Sequence, residues 1–279
     1  MARNYYYLVS GLPDLILDGT KKPLGLVEFV DEVSEQLHPD DAQLFRYIRY
    51  PIDNRNLVAL LKKDTESFDE RGNFSREELE QEIRSPDRMP QYMTVFMEAH
   101  NEGKELFPGL TQLDQLSWLF YDWVLGVNNE FVREWFSFER DLRNVVAGLN
   151  CRKMRDTGVE EDSCDLSTAI VTRNTAAQSI LKSNAPDFSL SSQLPWIERV
   201  IAMSEVGLVD FEKSLDQLRW DELNEFTTFT GFRMETILAF SIKVEMVERW
   251  QQLDSDVGKE KVERLIKELK AGFQMSKEF

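Results

Sequence analysis

The stretch 53-DNRNLVALL-61 recurs eighty-eight residues later as 141-DLRNVVAGL-149, identical at six of nine positions: Asp, Arg, Asn, Val, Ala and Leu. On a helix Asp53 and Asn56, three apart, share a face, and Leu60 extends that face by a turn. Asp141, Asn144 and Gly148 take the same places in the second copy. Arg55 and Arg143 point elsewhere and can pair with acids on a neighbouring helix. Two polar residues at one place on otherwise apolar helices predict a recurring buried or half-buried contact. The alternative is chance similarity between two amphipathic helices. At the same offset Tyr47, Ile48 and Tyr50 meet Trp135, Phe136 and Phe138, so an aromatic-rich helix leads into each copy. A weaker third match, Asp221-Glu-Leu-Asn224 after Trp220, repeats D-x-x-N alone.

Outward from these copies, apolar residues recur at helical rather than alternating spacing. Residues 24–37 fit a helix with Leu26, Phe29, Val30 and Val33 on one face. His38-Pro39-Asp40-Asp41 reads as a helix start, with Pro early and acids in the first turn. The helix from Leu44 is expected to break or kink at Pro51 and to resume at Asp53. Residues 64–74 read as a loop, and Ser75 with Glu78 has the form of a capping box. Ser85-Pro86-Asp87 is another break, and Met93, Phe96, Met97 and His100 follow at helical spacing. Leu113 to Lys153 holds no proline and predicts one long helix or two nearly continuous ones. Further helices are expected at about 167–182, 192–216, 219–229, 232–253 and 257–272, with a loop at 155–165.

Residues 5–15, YYYLVSGLPDL, look extended or irregular, and YYYLV could add one short strand. The fold class is therefore all-α: repeated helical bundle modules in a pseudo-threefold set, with approximate boundaries 1–84, 85–165 and 166–279.

The chain carries 50 Asp and Glu against 33 Lys and Arg, a formal net charge of −17. That argues against nucleic acid as the main partner, because phosphate binding needs a cationic face. It argues equally against docking on anionic lipid by charge alone, and it suits a basic protein partner. No window reaches the roughly 18 apolar residues of a membrane span, and the N-terminal apolar run is too short for a signal peptide. The expected setting is cytoplasmic. Cys151 and Cys164, the two cysteines, are expected as free thiols in a reducing compartment.

Catalytic signatures are scarce. Neither GxxxxGK[ST] nor GxGxxG occurs, nor do HExxH and GxSxG. The histidines are His38 and His100, and Met97 stands where a di-iron ExxH pair would need a glutamate. His100 beside Glu98, Glu102 and Glu105 reads as a helix-end histidine before it reads as a metal ligand. The dense aromatics Trp118, Phe120, Tyr121, Trp123, Phe131, Trp135, Phe136 and Phe138 read as core or a helix–helix seam before a ligand box. No catalytic, cofactor or metal residue is assigned.

The phrase 47-YIRYPIDNRNLVALLKK-63 resembles the hallmark of the C subunit (d in eukaryotes) of V-type and A-type rotary ATPases. In that family an aromatic-led helix carries D-x-x-N-[LIV], and the motif recurs across three helical modules. The segment 232-FRMETILAFSIKVEMVERW-250 resembles its C-terminal helix. The opening YYYLVSGLPDL is also similar to a domain of unknown function found in bacteria with V-type ATPases. The chain departs from the pattern at Pro51, and at Gly148 and Asn150 where the first copy has Leu60 and Lys62.

The resemblance implies a non-catalytic central-stalk subunit, without cofactor. It would be peripheral at the inner face of the membrane, joining the central shaft to the rotor ring and transmitting torque between ATP hydrolysis and ion movement. Asp53, Arg55, Asn56, Asp141, Arg143 and Asn144 then form a structural repeat motif that holds module helices in register. Two other classes remain: a stand-alone helical adaptor or scaffold binding protein through the aromatic seam, and an enzyme with a cavity near His100 or Trp118.

Overall fold

The computed structural model describes residues 3–17, 25–64, 67–156 and 164–254. They form α1 (Tyr6–Ser10), α2 (Leu26–Ser34), α3 (Pro39–Ala42), α4 (Leu44–Leu61), α5 (Arg76–Arg84), α6 (Gln91–Asn101), α7 (Gln112–Val124), α8 (Glu130–Asp156), α9 (Thr175–Lys182), α10 (Ile197–Met203), α11 (Leu208–Thr227) and α12 (Met234–Asp254). A 3₁₀ turn at Leu166–Thr168 precedes α9. The fold is all-α: among the described residues there is no strand, only an isolated bridge between Asn4 and Arg233. The expected helix at 257–272 lies outside the described residues, as do 157–163 of the expected loop.

The chain divides into two compact units, Met1–Ile48 with Val206–Phe279, and Arg49–Glu205; the division falls within α4. In the first unit α2 packs on α12, and α11 on α12. Leu26, Phe29, Val30 and Val33 form the buried face of α2, and the Phe29 ring meets that of Phe240 at 5.0 Å. Each such side chain contributes roughly 1.5–3 kcal/mol by leaving water. The second unit is built on α6 against α7, α7 against α8, and α8 against α9 and α10. Its aromatic core sets Phe120 edge-on to Phe136 at 4.9 Å and Phe138 edge-on to Trp196 at 5.5 Å.

Several local expectations are corrected. Residues 6–10 are helical rather than extended. Tyr and Val favour strands only where a neighbouring strand receives them, and here the chain closes on itself, Val9 N–H donating to the Tyr5 carbonyl at 2.9 Å. Tyr5 is tied down through its hydroxyl, which donates to Asp41, while Arg3 pairs with Asp41 at 3.1 Å. Pro51 sits inside α4 without ending it. The ring forfeits one backbone hydrogen bond, but Ile52, Asp53, Asn56 and Leu57 beyond it are all buried and hold the next turns in helical register. For 113 to 153, of the two forms expected, the structure has the second: α7 and α8, separated by residues 125–129. Likewise 192–216 is interrupted between α10 and α11, and α11 runs on through 219 without a break.

Cys151 and Cys164 are joined in a disulfide, against the expectation of free thiols. Cys151 is fully buried on the last turns of α8, and the chain returns to put the two Cα atoms 5.3 Å apart. A polar intervening sequence says nothing of where its two ends meet.

Candidate functional site

Asn56 lies on the buried face of α4 and is 0% exposed. Its amide nitrogen donates to the Asp69 carbonyl at 2.8 Å, and its oxygen accepts from the Asp69 N–H at 2.8 Å. One turn back, Asp53, also 0% exposed, accepts from the Asn73 backbone N–H at 2.7 Å, the Asn73 amide at 2.6 Å and the Phe74 N–H at 3.3 Å. Together they clamp the loop 69-DERGNF-74 against the helix. Arg49, a turn before Asp53, adds bonds to the carbonyls of Arg71, at 2.7 Å, and of Gly72. Gly72 is required by this close approach: a Cβ there would stand 2.4 Å from Asp53 Oδ1.

The second copy builds the same device. Asn144, 0% exposed on α8, donates to the Val171 carbonyl at 2.8 Å and accepts from the Val171 N–H at 3.0 Å. Asp141 accepts from the Asn174 amide at 2.8 Å. The clamped loop, 171-VTRN-174, matches 69-DERGN-73 with one residue fewer, keeping an Arg and the terminal Asn. Each loop leads into a helix. In the first copy Ser75 caps α5 through a reciprocal capping box with Glu78. In the second, Asn174 takes both roles: its nitrogen meets Asp141, and its oxygen accepts from the Ala177 N–H at 2.9 Å, capping α9. A Pro-Asp pair follows each of these helices, Pro86-Asp87 and Pro186-Asp187. The repeat is therefore a helix, a clamped loop and a second helix, longer than the nine residues that announce it.

The copies differ in electrostatics. No basic side chain forms an ion pair with Asp53 among the described contacts, and burial pushes its carboxyl up to about 6 despite the lowering by Asn73, Phe74 and the Arg49 charge. Asp141 instead pairs with its neighbour Arg140 at 2.9 and 3.1 Å. Behind Asp53, Tyr92 is buried and donates to Asn54 at 2.8 Å; burial and the Asp53 charge hold its phenol well above the ordinary value. In the second copy Gly148 makes room that Leu60 does not need to make: a Cβ there would meet Ile180 and Phe188 at 2.8 Å. Thr172, inside the clamped loop, has φ 65° and a buried hydroxyl without a hydrogen-bond partner among the described residues.

The two arginines of the motif diverge. Arg143 reaches Asp114 on α7. Arg55 is exposed, and its charge helps to lower the Asp69 carboxyl, where burial is outweighed chiefly by Arg71. Among the described contacts, Asp221 accepts from Gln217 within α11 at 2.8 Å and exposed Asn224 accepts from Lys243, both on helices rather than a loop. The buried carboxylate of α11 is Asp216, which takes Arg219 at 3.0 Å, Trp250 at 2.7 Å and Arg249. Sequence reasoning also passed over Glu82. Buried on α5, it accepts the backbone N–H groups of Asp87, Arg88 and Met89 at 2.8–3.0 Å. Burial pushes its carboxyl up, and those donors with Arg88 bring it below the ordinary value. A buried glutamate one turn before a Ser-Pro-Asp break is the signal that could have found it.

His100 closes α6, half-buried, its ring 6.2 Å from Phe96. Trp118 stacks on Phe107 at 4.1 Å, with the Arg173 guanidinium 4.8 Å above its ring. Among the described residues no group of three His, Cys, Asp or Glu side chains stands together as a metal site. No described helix is long and apolar enough to cross a membrane.

Fold and site thus define an all-helical protein whose second unit carries a duplicated helix–loop clamp. Over residues 1–273 the chain matches the family model described as "Protein of unknown function (DUF2764)", and it belongs to that family. No curated protein and no solved structure matches it.

Proposed function

We propose that the chain is a non-catalytic coupling subunit of a V-type or A-type rotary ATPase, joining the central shaft to the membrane rotor ring. The observation that carries the reading is the recurrence of the D-x-x-N helix, Asp53/Asn56 and Asp141/Asn144, each copy clamping the loop that leads to its next helix. The motif is the one on which the sequence resembles the C subunit. The clamps support the reading because torque passes only through elements that do not slip, and buried, doubly bonded loop anchors resist slipping. The surplus of carboxylates favours basic shaft or ring surfaces as partners. On this reading the chain is peripheral at the cytoplasmic face of the membrane and binds no cofactor.

The test is a tagged pull-down from detergent-solubilised membranes of the source cell, read by mass spectrometry. Recovery of nucleotide-binding and rotor subunits, lost with Asp141→Ala/Asn144→Ala, is the expected result. Recovery of none, where that ATPase stays assembled, overturns the proposal. The second reading is a stand-alone helical adaptor, favoured by aromatic side chains left in solvent: Tyr7 and Phe229 are each 96% exposed.

A further inference from the structure

The first unit holds a cleft of about 300 Å³ between α1 with its following turn, α2 and α12. Its walls are apolar: Leu8, Leu12, Leu15, Phe29, Val33 and Phe240 line it, and Glu32 is the one charged side chain among the described residues of the lining. Leu8, Leu12, Leu15 and Phe240 are each half-exposed, so these walls remain in contact with water.

Beside the cleft runs a stripe of charge. Glu28, Asp31, Glu32 and Glu35 are all exposed, and they stand at i, i+3, i+4 and i+7 along α2 and its C-terminal end. Seven residues at 1.5 Å each give the stripe a length of about 10 Å. Asp14, between the lining residues Pro13 and Leu15, is a fifth exposed carboxylate. Residues 11–17 and 25–37 contain no Lys or Arg, and no described ion pair satisfies any of these five acids; Lys21 and Lys22 lie outside the described residues. Like charges at helical neighbours repel, and of the four in the stripe only Glu28 stands in the first turn, where the helix N-terminus offsets its charge.

We propose that the cleft and this stripe form a docking site for a basic amphipathic helix of a partner protein. The chemistry follows from the spacing. A partner helix that sets aliphatic side chains at i, i+3, i+4 and i+7 into the cleft carries its cations along one flank, where the α2 carboxylates stand at the same repeat. An apolar floor supplies the burial, and the acidic rim supplies orientation and attraction at a distance. A second copy of this chain is a poor occupant, since it would bring the same acidic rim against itself. The proposal stands apart from the ATPase reading and holds equally for an adaptor.

The experiment is fluorescence anisotropy on the full chain at physiological ionic strength. The probe is a labelled synthetic Leu/Lys amphipathic helix of roughly five turns; a scrambled peptide of the same composition serves as control. Asp31→Lys/Glu35→Lys is expected to weaken binding at least roughly tenfold, and Leu12→Glu, at a half-exposed wall, to do the same. Glu98→Lys/Glu102→Lys makes the same charge change on the other unit and is expected to stay within about twofold. Circular dichroism confirms that each variant folds. Equal weakening by the two charge reversals, equal binding of the scrambled peptide, or full binding by Leu12→Glu overturns the proposal. So does a dimer in light scattering that the probe dissociates, which would give the cleft to a second copy.

Discussion

The side-chain amide of Asn56 closes a two-bond ring with the backbone of Asp69, donating to its carbonyl and accepting from its N–H, each at 2.8 Å. Asn144 closes the same ring with Val171, at 2.8 and 3.0 Å. An asparagine amide presents a donor and an acceptor side by side and so can imitate a neighbouring strand. That is how an all-helical chain satisfies the backbone of a partly buried loop.

Removing either amide takes the partners from a backbone N–H and C=O, half-buried at Asp69 and fully buried at Val171. Asn56→Ala and Asn144→Ala are each expected to lower stability by about 2–3 kcal/mol, read as a shift of the urea midpoint. Asn224→Ala, at the exposed third D-x-x-N, is expected within about 0.5 kcal/mol of the parent. Equal effects at all three sites would remove the distinction between clamp and chance match.

Asp53 makes stability depend on pH. Its folded value, about 6, lies above the ordinary 3.8, so the folded state holds the proton more tightly. The sign follows: the contribution of this group is greatest below the unfolded value and is lost as pH rises from about 4 through 6. A difference of this size between the folded and unfolded carboxyl corresponds to roughly 3 kcal/mol. Asp53→Asn should flatten the difference in urea midpoint between the two ends of that window by an amount of this order. An unchanged pH slope in the variant would show that the carboxylate is better solvated than its burial implies.

The clamped loops make opposite steric predictions. Gly72→Ala drives a Cβ against Asp53 Oδ1 and is expected to cost about 1–3 kcal/mol. Thr172→Gly relieves a left-handed residue at φ 65° and removes a buried, unpartnered hydroxyl, and is expected to gain about 1 kcal/mol. Thermal unfolding by circular dichroism reads both signs.

Iodoacetamide labelling of the unreduced, denatured chain is expected to modify neither Cys151 nor Cys164, and labelling after reduction to modify both. Cys164→Ser should cost about 3 kcal/mol, as expected for closing a loop of this length. Mass spectrometry counts the labels.

The helical faces were legible because burial repeats at fixed spacing: Leu26, Phe29, Val30 and Val33 read from the sequence as one stripe and pack as one. The capping box at Ser75 was legible for the same reason, both partners lying within one turn. Asp53 and Asn56 could be named from their recurrence, but their partners Asp69, Asn73 and Phe74 lie 13 to 21 residues away across a loop, and no local periodicity points across a loop. The weak echo of ERGN in TRN gains meaning only after the contacts are seen. Of the break or kink expected at Pro51, the break does not occur, because the buried residues beyond the proline hold the next turns in register, which a local rule cannot weigh. The cysteine pair misled because loop closure is a property of the whole unit, not of the intervening residues.

Coupling of shaft rotation to ion movement is the role proposed for this chain. It is tested most directly in inverted membrane vesicles from cells lacking the chain, by following ATP hydrolysis and ATP-driven ion uptake together. Uptake is expected to be lost and to be restored by added purified chain, but not by the Asp141→Ala/Asn144→Ala variant. Undiminished ATP-driven uptake by a V-type ATPase in vesicles without the chain would contradict it.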